Sequence, residues 1–509
     1  MLKLSPWLKQ GITVCFFLFS VVFFTSCSSK PNASSSKNTN SSGNEKVIPI
    51  SIGTQDQVIN TAVGGATVRE KKLLKKHLPT TGKYENVEYD IKWSSYTSGP
   101  PITNKMLAGQ IDIGLMGDYP TVINLLKFQQ EAENVDSTYI GTLAYSSNGA
   151  GNAVVVPKES EVTSLSDLKG KTISVPFGSA AHGMLLKALK DAGINPQEDV
   201  KLISQAPQVG GSSLRTGQID AHADFVPFGQ LFAYRGFAKK IFSGAQTGVP
   251  TLHGIVVRSD FAKKYPEVVI GYLKAMLEAN QMYRQNPEAI SADIENWTGI
   301  EKEVVYMFLG PSGLQTLDPT IRQVHMEALK NSIATLTQLG KVDEKVNPEK
   351  VAQWSDESYL KQAMEEMNLS YDEVFATANN YVMSGKDALT GEPIKNPKMA
   401  AQIWVEGENE VLNFASVSNM LKMRQNLKEE GKETTAMFVH DKQKGWKLFA
   451  KNAYYVKNGE TVSAFLLRKH AKKFAAKSGS QVAEFGGIQE QVYAQNSQRY
   501  QQAALVISK

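Results

Sequence analysis

Cysteine is nearly missing from this chain. Of 509 residues only two are cysteine, Cys15 and Cys27, and both fall within the first 27 positions. The rest of the chain can hold no disulfide framework, no cysteine-ligated zinc and no cysteine nucleophile. An excess of one charge is also lacking: 55 basic against 50 acidic residues leave a net +5. Spread over this length, that excess gives no reason to expect nucleic acid or an anionic membrane surface as a partner. There is no G-x-S-x-G elbow, no P-loop and no H-E-x-x-H, and no pattern of a catalytic triad. No self-similar period marks a solenoid or propeller. What is present is ordinary globular composition, 42% hydrophobic and 21% charged. At roughly 100–200 residues per domain, the length suggests about three domains.

The two cysteines have a local explanation. Lys3 and Lys9 precede an uncharged apolar run over 11–25 (GITVCFFLFSVVFFT). It is short for a spanning helix, which needs about 20 apolar residues. The run ends Phe24-Thr25-Ser26-Cys27, which resembles a bacterial lipoprotein signal, with Phe24 where leucine is usual. The resemblance implies lipidation of Cys27, which becomes the mature N-terminus, and loss of Cys15 with the signal over 1–27. A plain signal peptide or a short membrane anchor is the alternative. Residues 28–46 (SSKPNASSSKNTNSSGNEK) are polar and low in complexity, and predict a flexible tether. The soluble body is expected from Val47.

From 47 to about 349, short apolar runs alternate with amphipathic ones. Strands are predicted over 47–52, 87–93, 111–115, 153–156, 172–175 and 200–203, and helices over 71–78, from 103, and over 184–192. The alternation predicts an α/β fold with mostly parallel sheets, whose ligands bind where strands run into helix N-termini. Three such junctions stand out. Residues 116–121 carry Gly117 and Pro120, which suit close approach and a helix start. Residues 176–183 place Ser179 as an N-cap, with free N–H groups behind it suited to an anion. Residues 214–228 set His222 and Asp224 beside aromatics, either at a pocket or as a solvated pair, and two such ligands alone make no metal site.

The phrases LAGQIDIGLMGDYPTVI, SLSDLKGKTISVPFGSAAHGMLLKALKDAGI and LRTGQIDAHADFVPF resemble successive blocks of the periplasmic substrate-binding proteins of the nitrate/sulfonate/taurine class. The likeness runs over about 47–345, roughly three-fifths of the chain. It implies a two-lobed, type II binding-protein fold within 47–350. Lobe I would take about 47–150 and 245–345, and lobe II about 151–244, with hinge crossings near 152–157 and 250–257. It also implies a pocket of Thr54, Gln55, Tyr96, Gly117, Asp118 and Tyr119 from lobe I, and Ser179, Ala180, His182, Asp224 and Phe225 from lobe II. Thr54 and Ser179 are the foremost of these. Asp118 departs from a plain anion site, because a carboxylate there would favour a ligand that also carries an amine. A zwitterion such as taurine, or an organic cation, is then as plausible as sulfonate or nitrate. Ser179→Ala is expected to weaken ligand binding by roughly tenfold or more in calorimetry, the scale of a lost hydrogen bond to a charged group. The thiamine-pyrimidine synthases resemble this fold but use a cysteine-rich iron motif, which the cysteine-free body lacks, so an enzyme is not expected.

After about 349 the pattern changes. A linker helix is expected over 351–378, with Trp354 packing on lobe I. Strands are predicted over 401–405, 411–414, 435–440, 447–450, 453–456 and 481–485, with helices over 417–426 and 468–477. That order predicts a small α+β domain over 379–487 and a tail over 488–509. The phrases MAAQIWVEGENEVLNFASVSNML, TTAMFVHDKQKGWKLFAKNAYYV and SAFLLRKHAKKFAAKSGSQVAEF resemble NosL, the periplasmic copper(I) carrier that serves nitrous-oxide reductase. Members often open with Cys-x-x-Cys-Gly-Met, but residues 379–385 read NNYVMSG. A copper(I) site would then rest on Met383, Met420, Met423, Met437 and His440, thioether and imidazole ligands suited to a soft ion. Met420 and Met423 equally suit core packing on a helix. Met437 and His440 should face opposite sides of a strand unless a bulge intervenes. Two functions follow. The first is solute capture for an ABC importer, with a permease and ATPase as partners and a lipid anchor at the membrane. The second is copper delivery to a periplasmic cuproenzyme. The longer resemblance favours the first, and no cofactor is required for it.

Overall fold

The computed structural model describes residues 46–132 and 134–495. The expected signal, Cys27 and the tether up to residue 45 lie outside the described residues. Among the described residues, no helix is long and apolar enough to cross a membrane.

Lobe I begins with β1 (Lys46–Thr54), β2 (Val87–Ser95), β3 (Ile113–Gly117) and β4 (Ser137–Ser146). The chain then crosses into lobe II, made of β5 (Ala153–Pro157), β6 (Thr172–Val175), β7 (Lys201–Ser204), β8 (Ala221–Asp224) and β9 (Ala238–Ser243). It returns through β10 (Thr251–Arg258). The two sheets have the same plan, β2-β1-β3-β10-β4 and β7-β6-β8-β5-β9. In each, the first three strands are parallel, and the crossing strand runs antiparallel to both of its neighbours. The expectation of mostly parallel sheets therefore holds for only half the pairings. The reason is topological: β5 and β10 enter their sheets from the other lobe, so they arrive in the reverse direction. The inner strands are enclosed, with Ile48, Ile50 and Ile52 of β1 and Val154, Val155 and Val156 of β5 fully buried, whereas the edge strands β2 and β7 are only partly covered.

The linker expected as one helix is three pieces, Pro348–Trp354, Ser358–Glu366 and Tyr371–Asn379. Trp354 packs among Tyr139, Val351 and Leu329 of the lobe I core. Beyond it lie β11 (Ala401–Val405), β12 (Val411–Phe414), β13 (Thr434–His440) and β14 (Lys447–Phe449) in one antiparallel sheet, ordered β12-β11-β13-β14. A second sheet, β16-β15-β17, holds β15 (Tyr454–Asn458), β16 (Thr461–Phe465) and β17 (Val482–Ala483). Helices Val417–Glu429 and Arg468–Ser478 pack on these sheets. The tail begins as helix, over 485–495, with Ile488 and Val492 buried.

This C-terminal domain docks on the helix Lys302–Leu309 through aromatic contacts. Tyr306 meets Trp404 edge-on at 5.4 Å and Phe438 at 5.6 Å. It also touches lobe II, where Tyr234 stacks on Phe449 at 5.1 Å. Such pairs contribute about 0.5–1.5 kcal/mol each beyond their buried area.

Candidate functional site

Between the lobes lies a cleft of about 140 Å³, room for roughly five waters or one small solute. Four helix N-termini meet there. Ser98 and Gly99 open the helix Gly99–Leu107, and Gly117 precedes Asp118–Glu131. Ser179 and Ala180 open Ala180–Asp191, and Ala206 precedes Pro207–Arg215. Each follows a strand end, as the βα plan requires. Ser179 caps its helix: its Oγ accepts from the His182 amide at 3.3 Å and donates to the Pro176 carbonyl at 2.6 Å. Its hydroxyl proton is thus engaged within the turn, and Ser179 acts by holding the helix end toward the cleft.

The cleft wall carries no Asp, Glu, Lys or Arg among the described residues. Its one titratable side chain is His253, which burial holds down to about 3, so the ring is neutral at physiological pH. His253 Nδ1 meets Asn60 Nδ2 at 3.2 Å, and Asn60 donates onward to Gln315 Oε1 at 3.0 Å. Gln55 and Gln205 also line the cleft, and the Oε1 of each is buried without a hydrogen-bond partner. Phe177 and Phe225 supply apolar faces. The arrangement offers positive helix ends and two aromatic rings to one small molecule, with the Gln55 and Gln205 amides in its wall.

Of the residues expected at the pocket, Gln55, Gly117, Ser179, Ala180 and Phe225 line this cleft, and Thr54, Tyr96, Asp118, Tyr119, His182 and Asp224 do not. Thr54 is fully buried beneath the π-helical turn Ala62–Thr67: a Cβ on Gly65 would lie 2.5 Å from its Oγ1. Tyr96 packs instead against the second cluster of the lobe I core. Asp118 turns into the interior of lobe I, accepts from the Tyr119 amide at 2.9 Å, and is pushed up by burial to about 7. It therefore supplies no carboxylate for a ligand amine. Tyr119 points to the helix Ala180–Asp191 of the other lobe, where it touches Gly183. His182 stacks behind Phe177 at 4.7 Å and is lowered to about 4, chiefly by burial.

His222 and Asp224 are not a solvated pair, for both are wholly buried. Ser174 Oγ donates to His222 Nδ1 at 2.6 Å, and His222 Nε2–H donates to Asp224 Oδ2 at 2.7 Å. The other carboxylate oxygen accepts from the Phe225 amide at 2.8 Å, which sets that ring at the cleft. The Ser-His-Asp line has the order of a hydrolase triad, but Ser174 is fully enclosed and no substrate can reach it. Its work is to position Phe225. His253, Ser98, Phe177 and the 204–206 loop were not expected as site residues. Pro207 directly after a strand was an available signal for the last of these.

In the C-terminal domain, the described residues include no group of three or more His, Cys, Asp or Glu that could hold a metal. Met383, Met420, Met437 and His440 are all buried. The irregularity in β13 falls at Thr435, before both Met437 and His440. Strand alternation therefore sends Met437, opposite Ile403, and His440 to different faces. His440 donates Nδ1–H to the Ala400 carbonyl at 2.8 Å, and its register partner is Lys447, a lysine rather than a ligand. Met437 and His440 therefore lie on opposite faces of β13, without the intervening bulge that a shared site would need.

Comparison with known proteins agrees with the two-part layout. The family described as NMT1/THI5 like matches residues 94–290, and NosL matches residues 394–493. The chain is 32% identical over 249 residues to the taurine-binding periplasmic protein of Escherichia coli (strain K12), covering 48% of this chain and 73% of that protein. It is 24% identical over 275 residues to a putative aliphatic sulfonates-binding protein of the same organism, covering 54% and 80%. Among solved structures, the periplasmic nitrate-binding protein NrtA from Synechocystis PCC 6803 superposes with a TM-score of 0.50 at 13% identity, over 64% of this chain and 91% of that one, a likeness of fold. The chain belongs to the family of periplasmic binding proteins that includes the taurine-binding protein, and its residues 394–493 match the NosL family.

Proposed function

We propose that the protein is the solute-binding component of an ABC importer, held at the membrane by lipid on Cys27, and that it captures a small zwitterionic sulfonate such as taurine. The carrying observation is the convergence of four helix N-termini on a cleft without a charged side chain. A helix N-terminus holds roughly half a positive charge, and its unpaired N–H groups are ready donors. Backbone donors at several angles suit the three oxygens of a sulfonate and leave no lysine or arginine to trap it. The free Oε1 atoms of Gln55 and Gln205 would take the ammonium end, with the Phe225 ring beside it. This replaces Asp118 as the reason to expect an amine. Binding followed by lobe movement about β5 and β10 is the work of the protein, and the enclosed Ser174 gives it no acyl-transfer role.

The test is calorimetric titration of the soluble body with taurine, ethanesulfonate and nitrate. Taurine is expected to bind most tightly. Gln55→Ala and Gln205→Ala should each weaken taurine by about tenfold and leave ethanesulfonate nearly unchanged, because only the amine loses its acceptor. Equal loss for both ligands would refute the assignment of the two glutamines. Absence of binding by all three would refute the sulfonate reading itself.

A further inference from the structure

A second cavity, of about 290 Å³, lies where lobe I meets the C-terminal domain. Its volume is about that of a small-molecule site. Three cations line it: Arg284 at the end of the helix Pro266–Gln285, and Lys398 and Lys444 from the C-terminal domain. No Asp or Glu side chain lines it among the described residues. Among the described residues, none of the three cations has a carboxylate within ion-pair distance. Arg284 makes one long hydrogen bond, from Nη1 to the Leu317 carbonyl at 3.4 Å. Lys398 reaches only the Gln443 carbonyl, at 3.2 Å. The buried acid Asp318, which acts on the Arg284 charge from beyond ion-pair distance, is already bonded to Asn379 Nδ2 at 3.1 Å and to Thr320. Tyr381 and Trp446 form an aromatic wall on the same cavity.

We propose that this junction is a binding site for a planar organic anion, distinct from the interlobe cleft. Burial of the Arg284 guanidinium is costly, with Asp318 acting on it only from beyond ion-pair distance, and an anion seated in the cavity would offset that cost with charge-assisted, bidentate hydrogen bonds. The lysines supply charge from the C-terminal domain, and Trp446 and Tyr381 a face for a flat apolar body. Because Arg284 and the two lysines belong to different domains, the bound anion also fastens the C-terminal domain to lobe I.

The probe is phthalate, an aromatic dicarboxylate, titrated calorimetrically into the full-length protein. Saturable binding is expected in the wild type. It should weaken at least tenfold in Arg284→Met and in the double variant Lys398→Gln/Lys444→Gln, whose lysines are exposed and safe for folding. Taurine affinity should be the same in all three proteins. Absence of saturable binding at millimolar phthalate would overturn the proposal, as would binding that survives both variants or that taurine displaces.

Discussion

Gly183→Val should lower affinity for the cleft ligand by about 100-fold, a loss of about 2.7 kcal/mol, with little loss of fold stability. The helix Ala180–Asp191 carries Ser179 and Ala180 at the cleft, and Gly183 one turn further on. There lobe II meets lobe I: a Cβ on Gly183 would stand 1.9 Å from Tyr119 Oη and 2.4 Å from its Cζ. Tyr119 cannot swing aside, because it is buried and its hydroxyl sits beside Thr335 of the helix Gln323–Gln338. A branched side chain therefore holds the lobes apart and withdraws one of the four helix N-termini from the solute. The substitution lies on a helix, where glycine is itself unfavourable, so lobe II should fold normally. Tyr119→Ala in the Gly183→Val background makes room again and should recover most of the affinity. Calorimetry with taurine, alongside small-angle scattering to register the wider gap, checks both steps. Wild-type affinity in Gly183→Val would show that this contact does not govern closure.

The same pair shows what a sequence carries and what it does not. Residues 116–121 and 176–183 were legible as strand-to-helix junctions, since glycine, proline and a capping serine stand where apolar runs end. The strand and the helix they join are present at both places. Which way the residues after the junction turn was not legible. Asp118 and Tyr119 sit in the first turn after Gly117, and neither lines the cleft. A helix start fixes where its N–H groups point, whereas its side chains are sorted by neighbours distant in the chain, here Leu252, Thr335 and Gly183. Thr54 fails as a cleft residue for a similar reason, since a glycine pair 10 residues on lies over it. His253 was hidden differently. It belongs to a crossing strand, read for its hinge role, and becomes a cleft residue only because β10 inserts beside β3. In the C-terminal domain, alternation alone separated Met437 from His440, and only the structure shows that the bulge falls at Thr435.

Lys447→Met should stabilise the docked C-terminal domain by about 2–3 kcal/mol near neutral pH, the scale of a buried polar group relieved of a missing partner. Nothing in the stretch DKQKGWKLF marks this lysine apart from its neighbours, yet it is fully buried and its Nζ has no hydrogen-bond partner. It lies 3.4 Å from the centroid of the Tyr306 ring and 5.5 Å from that of Phe438, at the face that docks on the helix Lys302–Leu309. Its own amide donates to the Ser312 carbonyl at 2.5 Å, so the backbone there is fixed to the binding-protein body. Burial holds the Lys447 amine well below the ordinary lysine range, against a weaker upward pull from Glu288. Beside it, His440 is lowered to about 3, chiefly by burial and then by Lys447, and stays neutral. The unfolded chain therefore binds a proton at Lys447 that the folded chain does not. Between the lowered value and the unfolded value of about 10.4, stability rises with pH, and the penalty grows as pH falls. Methionine has similar length, fills the same space between the rings and removes the titration. Denaturant unfolding followed by tryptophan fluorescence should show Lys447→Met ahead of wild type at pH 7, with the gap closing as pH approaches about 10. A variant less stable than wild type, or a gap that does not change with pH, would mean that the lysine keeps its charge inside the fold through a partner it gains in solution.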